Sequence, residues 1–156
     1  MSVVVDANIL LFVVDPLSPF HQVAKNAVQW LLAKGELVYI LPQSIYEFWV
    51  VATRPANYRG LGLAPLQAQI ELANLKSLFR FLPDVPAICP EWEKLVVVHG
   101  VSGKTAHDTR YAAAMAVHGV THLLTFNGAD FKRYPHVTVI EPQSVTPPPP
   151  PPQGQT

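Results

Sequence analysis

The sequence predicts an α/β sandwich, with helices on both faces of a central, mostly parallel sheet of four to five strands. Short aliphatic runs such as Val3-Val4-Val5 and Leu37 to Leu41 recur along the chain, as strands buried on both faces require. Longer segments carrying apolar residues at helical spacing separate them. Strands that alternate with helices pair in parallel through right-handed crossovers.

The first strand is Val3 to Val5, which delivers Asp6 at its carboxyl end, and an ordinary turn over Asp6-Ala7-Asn8 is the alternative to a functional role for Asp6. The apolar stretch Ile9 to Val14 stops at Asp15 and Pro16, well short of the roughly 20 residues that span a bilayer. His21 to Ala33 is predicted helical from Val23, Ala27, Trp30 and Leu31, with Gly35 as its stop. Leu37 to Leu41 is the second strand, and Pro42 opens a helix that runs through Glu47 to about Thr53. Arg54 to Ala64, with Pro55, Asn57, Gly60 and Gly62, is a surface loop. Pro65 starts a helix reaching about Phe79, followed by a short strand over Arg80 to Leu82. Pro90 starts a further helix through Trp92, Leu95 and Val96, and Gly100 and Gly103 bracket the loop before a helix over Ala106 to His118. Thr121 to Phe126 and Val137 to Ile140 are strands, separated by a turn holding Asn127, Gly128 and Asp130.

At 156 residues, 49% hydrophobic and 14% charged, the chain fits one domain with a real core. Its 11 basic residues are matched by 11 acidic ones, which excludes a broad basic face for nucleic acid and makes any such contact local. Cys89 stands alone, so it has no internal disulfide partner and fits a reducing cytosol. Asp6 and Asn8 interrupt the first apolar run, so no signal peptide is visible and the expectation is a soluble, cytoplasmic protein without membrane contact.

Ligands of an open parallel sheet bind beyond the carboxyl ends of its strands, where the strand order reverses. Asp6 and Asn127 are placed at strand ends, Asp108 in the first turn of a helix, and Glu47 within the helix after the second strand. Each has an ordinary alternative. Asp108 can complete a capping box with Thr105, Glu47 can be a solvated residue near Arg54, and Asn127-Gly128 is a common turn dipeptide.

Taken together, Val3-Val4-Val5-Asp6-Ala7-Asn8, Ser44-Ile45-Tyr46-Glu47-Phe48, His107-Asp108-Thr109-Arg110-Tyr111-Ala112-Ala113 and Leu124-Thr125-Phe126-Asn127-Gly128-Ala129-Asp130-Phe131 resemble the PIN-domain pattern, and within it the VapC-like toxins of type II toxin–antitoxin modules. The resemblance covers a PIN-like nuclease domain over residues 1–142. Residues 143–156, which include Pro147 to Pro152, are expected to be a disordered tail. The resemblance implies a three-layer sandwich and a metal-dependent ribonuclease. Asp6, Glu47, Asp108 and Asn127 would be its catalytic set, and Asp6 and Asp108 its metal ligands. Asp130 competes with Asn127 for the fourth position or acts from an outer shell. Mg²⁺, with Mn²⁺ as a substitute, suits such oxygen donors. Lys104, Arg110, Lys132 and Arg133 are candidates for RNA contact, with surface solubility as their alternative.

The resemblance further implies an RNA substrate, a cognate antitoxin and a homodimer, to which Trp30, Phe48 or Trp49 could contribute if they are not core. A housekeeping RNA-processing nuclease and a non-catalytic interaction module are the other readings. Asp6-Ala7-Asn8 is also similar to the nucleophile motif of haloacid-dehalogenase-like phosphatases, but Leu10 stands where that motif expects Thr or Val.

Overall fold

The computed structural model describes residues 1–145. Its elements are β1 (Ser2–Val5), α1 (Ala7–Val14), α2 (His21–Ala33), β2 (Leu37–Ile40), α3 (Pro42–Thr53), α4 (Pro65–Leu78), β3 (Arg80–Phe81), α5 (Ile88–Val98), α6 (Thr105–His118), β4 (His122–Leu124) and β5 (Thr138–Ile140). The five strands form one sheet in the order β3-β2-β1-β4-β5, and every neighbouring pair is parallel. The chain moves outward from β1 through β2 to β3, then returns to the opposite side of β1 as β4. The reversal therefore falls between β1 and β4, which is where a site is expected.

β1 shows why the sandwich has three layers. Successive side chains of a strand point to opposite faces. Val3 and Val5 pack into a cluster with Ile9, Leu10, Leu31 and Phe48 from α1, α2 and α3. Val4 joins the opposite cluster with Leu95 of α5, Tyr111 and Met115 of α6, and Leu123 of β4. All three valines are fully buried. Ala112, Ala113 and Ala114 are also buried, and their short side chains let α6 lie close against the sheet.

Several boundaries differ from those expected, and α1 is the main correction. Ala7–Val14 is a helix, not a turn followed by an unassigned run. Its residues are nearly all apolar, so they carry no 3.6-residue polar period by which to separate a short helix from a strand. α5 starts at Ile88, which places Pro90 within its first turn. β4 ends at Leu124, so Asn127 lies beyond the strand and precedes a short 3₁₀ turn over Gly128–Phe131. Pro142–Ser144 form another 3₁₀ turn, Pro142 is buried, and Val145 packs against the first core cluster. The folded unit thus continues past residue 142, while Pro147 to Pro152 lie outside the described residues. Phe48 is fully buried and belongs to the core, not to a dimer surface. Among the described residues, no helix is long and apolar enough to cross a membrane.

The loop after α3 folds back on its own start. Gly60 N–H donates to Pro55 O at 3.1 Å and Gly62 N–H to Arg54 O at 2.9 Å. A Cβ on Gly60 would stand 1.9 Å from Arg54 O, a clash with backbone that a rotamer change does not relieve. Gly60→Ala should therefore destabilise the protein by about 2 kcal/mol. Urea unfolding of the variant checks this, and an unchanged midpoint would show that the loop does not depend on the close approach.

Candidate active site

β1 and β4 bring the first two polar groups together. Asp6 N–H donates to Leu124 O at 3.0 Å, continuing the pairing one residue past β1. Thr125, one residue past β4, then donates its hydroxyl to Asp6 Oδ2 at 2.7 Å. Asn8, in the first turn of α1, donates to the same oxygen at 3.3 Å and accepts Phe126 N–H at 3.4 Å. Asn127 N–H donates to Thr125 Oγ1 at 3.0 Å. The buried Thr125 hydroxyl thus ties the Asp6 carboxylate to the segment carrying Asn127.

α3 supplies Glu47, and two donors fix both of its oxygens. Gln43, one helical turn earlier, donates to Oε1 at 2.8 Å, and the buried Tyr111 of α6 donates to Oε2 at 3.0 Å. Gln43 also donates to His107 O at 2.7 Å, which joins α3 to the first turn of α6. Ser44 donates to Val5 O at 3.0 Å and anchors the start of α3 beside Asp6. Burial, reinforced by the charges of Asp6 and Glu47, pushes the Tyr111 phenol well above its ordinary range, so it stays protonated and able to donate.

Asp6, Glu47, Asp108 and Asn127 line one cavity of about 430 Å³, together with Asn8, Tyr46 and Arg54. The four positions singled out by sequence are therefore brought together. The ordinary alternative for Asp108 is not observed: Lys104 occupies the N-cap of α6, and no side chain caps that end. Glu47 forms no ion pair with Arg54 among the described residues, although both line the cavity. Asp130 is exposed on the 3₁₀ turn and does not line the cavity, but its charge reaches Asp108. Arg133 is exposed and acts on Asp108 in the opposite direction. Lys104 and Lys132 are exposed. Arg110 is engaged by Asp84 at 2.8 Å and lines a different cavity. Thr125, Tyr111 and Gln43 received no role from the sequence: strand pairing and helix docking supply the partners of Thr125 and Tyr111 and the His107 partner of Gln43, and only the Gln43–Glu47 pair, at helical i,i+4 spacing, was there to be read.

The carboxylates are mutually repulsive. Burial raises the pKa of Asp6 from its ordinary 3.8 to about 6, the Thr125 hydrogen bond opposes that rise, and the charges of Glu47 and Asp108 add to it. Asp108 is also raised, first by burial and then by Asp130 and Glu47. A hard divalent cation would relieve this repulsion, since Mg²⁺ takes one or two carboxylates and keeps several waters. Asp6 and Asp108 are the residues of the cavity that could hold one, and Asn127 could add an uncharged oxygen. Among the described residues, no group of three or more His, Cys, Asp or Glu is placed to hold a metal ion.

An acidic cavity at the reversal point of an all-parallel sheet places the chain in the class of α/β proteins whose ligand site is built from strand ends. A family model of the PIN domain matches residues 3–137, and the chain belongs to that family. It is 26% identical to the ribonuclease VapC48 of Mycobacterium tuberculosis over 149 residues, spanning 92% of this chain and 99% of that one. Its fold is similar to that of VapBC2 from Rickettsia felis, solved with a DNA fragment from their promoter (TM-score 0.66, 19% identity, 90% of this chain and 98% of that one). It also resembles Mycobacterium tuberculosis VapC20, a sarcin-ricin loop cleaving toxin (TM-score 0.61, 18% identity, 82% and 92% covered).

Between pH 3.8 and about 6 the folded protein binds the Asp6 proton more tightly than the unfolded chain does. Stability therefore falls as pH rises through that window, by roughly 3 kcal/mol once the carboxylate is ionised. In chelator, Asp6→Asn should be more stable than the parent at pH 8 and lose that advantage near pH 4. Mg²⁺ should raise the parent's melting temperature at pH 8 more than the variant's. Thermal unfolding at the two pH values measures both effects, and an Asn variant less stable at pH 8 would refute the desolvation account.

Proposed function

We propose that the protein is a divalent-metal-dependent ribonuclease, with Mg²⁺ as its natural ion, and that it serves as the toxin of a toxin–antitoxin pair. The observation that carries this reading is the convergence of Asp6, Glu47, Asp108 and Asn127 on one cavity. The similarity to a ribonuclease along nearly its whole length supports the reaction class. The likeness to VapC20 and VapBC2 favours a toxin with a protein partner over a housekeeping nuclease.

Asp6 and Asp108 would hold the ion, which when bound offsets the charge of the phosphate and of the leaving oxygen. The chain's own residues do the rest. Glu47 accepts a proton from the attacking water, using lone pairs left over from its bonds to Gln43 and Tyr111. Tyr111 keeps Glu47 oriented. Asn127 adds an uncharged polar group to the same cavity. Water adds to phosphorus as the bond to the departing ribose oxygen breaks. Lys132 and Arg133, on the segment after Asn127, and Lys104, before α6, are exposed cations suited to flanking phosphates. An antitoxin that covers the acidic cavity would silence the enzyme, and a homodimer is the expected assembly of the toxin.

Purified protein should cut a mixed RNA panel with Mg²⁺ or Mn²⁺ and not with chelator. Asp6→Ala and Asp108→Ala should each lose at least about 100-fold in rate. Cleavage that survives in both variants, or in chelator, would refute the site. Tyr111→Phe removes a single donor to Glu47 and should lower kcat by about tenfold with KM little changed. Single-turnover rates test this, and an unchanged kcat would remove Tyr111 from the positioning of Glu47.

A further inference from the structure

A second cavity, of about 340 Å³, lies against the same first turns of α6 that carry Asp108. Val85, Pro86, Ile88 and Trp92 form its apolar wall, and Asp84 and Arg110 supply its charged groups. Its size falls in the range of small-ligand pockets, as does its pairing of apolar walls with a few polar groups. None of the proposed chemistry uses it. We propose that this cavity is a nucleobase subsite selective for guanine, holding a nucleotide that flanks the scissile phosphate. The inference rests on the ribonuclease reading, which supplies the RNA.

Position is the first argument. Ala106, His107 and Arg110 line the apolar cavity while Asp108, between them in sequence, lines the acidic one. Ala106 to Arg110 span only about 6 Å of helix axis, and although Ala106 and Arg110 each lie about 200° around α6 from Asp108, the exposed His107 stands between the two faces, so a strand that passes from Asp108 over His107 carries its neighbouring base to the mouth of the second cavity. Sequence-specific reading of RNA uses bases splayed out of the stack, held against aromatic or guanidinium planes and hydrogen-bonded along their edges.

Edge chemistry is the second argument. Arg110 Nη2 and Asp84 Oδ2 lie 2.8 Å apart, and their side chains are 37% and 43% exposed. A half-exposed pair contributes little to stability and re-forms readily around a ligand. It presents donors beside an acceptor. Guanine offers the complement, a carbonyl oxygen for the guanidinium next to two N–H groups for the carboxylate. No other standard base places two adjacent donors beside an acceptor on that edge, so the carboxylate would be satisfied only in part. The Trp92 indole N–H already donates to Ala106 O at 2.8 Å, which fixes the ring as part of the wall.

Cys89 also lines the cavity, is exposed, and is the chain's one cysteine, so its alkylation rate reports on this place alone. The four nucleoside monophosphates should be titrated into the full chain in chelator. Guanosine monophosphate should slow alkylation by at least about fivefold, the other three should do so much less, and Asp84→Asn should abolish the difference. In parallel, Mg²⁺-driven cuts in the RNA panel should fall beside guanines in the parent, and lose that bias with cleavage retained in Asp84→Asn. Equal protection by all four nucleotides, protection by none, or cuts without a guanine bias would overturn the subsite while leaving the nuclease intact. If no RNA is cut, the nuclease reading fails, and the thiol protection still decides whether the cavity takes guanine.

Discussion

The hydrogen bond from Thr125 to the buried Asp6 carboxylate, at 2.7 Å, is the contact on which the site depends. It closes the seam between β1 and β4, the two strands at the reversal of the sheet order, and holds a charge where water has little access. A carboxylate buried this far ionises less readily than in water, and hydrogen-bond donors or a cation favour its charged form. Thr125 and Asn8 supply the donors, and Glu47 and Asp108 add negative charge instead of relieving it. The fold thus keeps a local concentration of negative charge that a divalent ion would relieve. The rigid sheet is what tolerates it, since Val3, Val4 and Val5 are buried in two packed cores and leave β1 little room to move Asp6 away.

The second half of the site is organised by Gln43. Both of its amide hydrogens are committed, one to Glu47 and one to His107 O, so α3 and the first turn of α6 are set relative to each other through one side chain. The amide orientation follows from this network, because the flipped form would put its carbonyl oxygen against two acceptors. Its Oε1 is buried with no hydrogen-bond partner among the described residues. Leaving a buried acceptor unpaired costs free energy. The cost falls on the residue that fixes Glu47.

The fold class was legible because its signals are periodic. Pro42 and Pro65 open α3 and α4 as expected, and His21–Ala33 coincides with its predicted span. The acidic positions were legible because charge in an apolar setting is conspicuous and strand ends are where sites form. α1 was not legible, for a run of eight mostly apolar residues suits a buried helix and a buried strand equally well. Nor were Thr125, Tyr111 and Gln43. Each acts through a hydrogen bond to a residue far away in sequence, and only the β1–β4 register and the docking of α3 on α6 create those partners. Arg110 was a candidate for RNA contact from its place beside Asp108, and two residues of helix turn it by about 200° from Asp108, toward Asp84 and the other cavity.

A chain with no net charge has no general field with which to attract RNA. An exposed acidic cavity would repel phosphate outright. Affinity must then come from specific, short-range sources. One would be a divalent ion, which if held by Asp6 and Asp108 would offset their charge. Another is the small set of exposed cations at Lys104, Lys132 and Arg133. Such an enzyme would gain little from indiscriminate backbone contact and much from apolar and edge contacts to particular bases, since these do not depend on net charge. The two cavities along α6 fit that division: one concentrates negative charge for metal and chemistry, and the other offers apolar walls with a single guanidinium–carboxylate pair. Selectivity in a neutral nuclease is then a consequence of how it must bind at all.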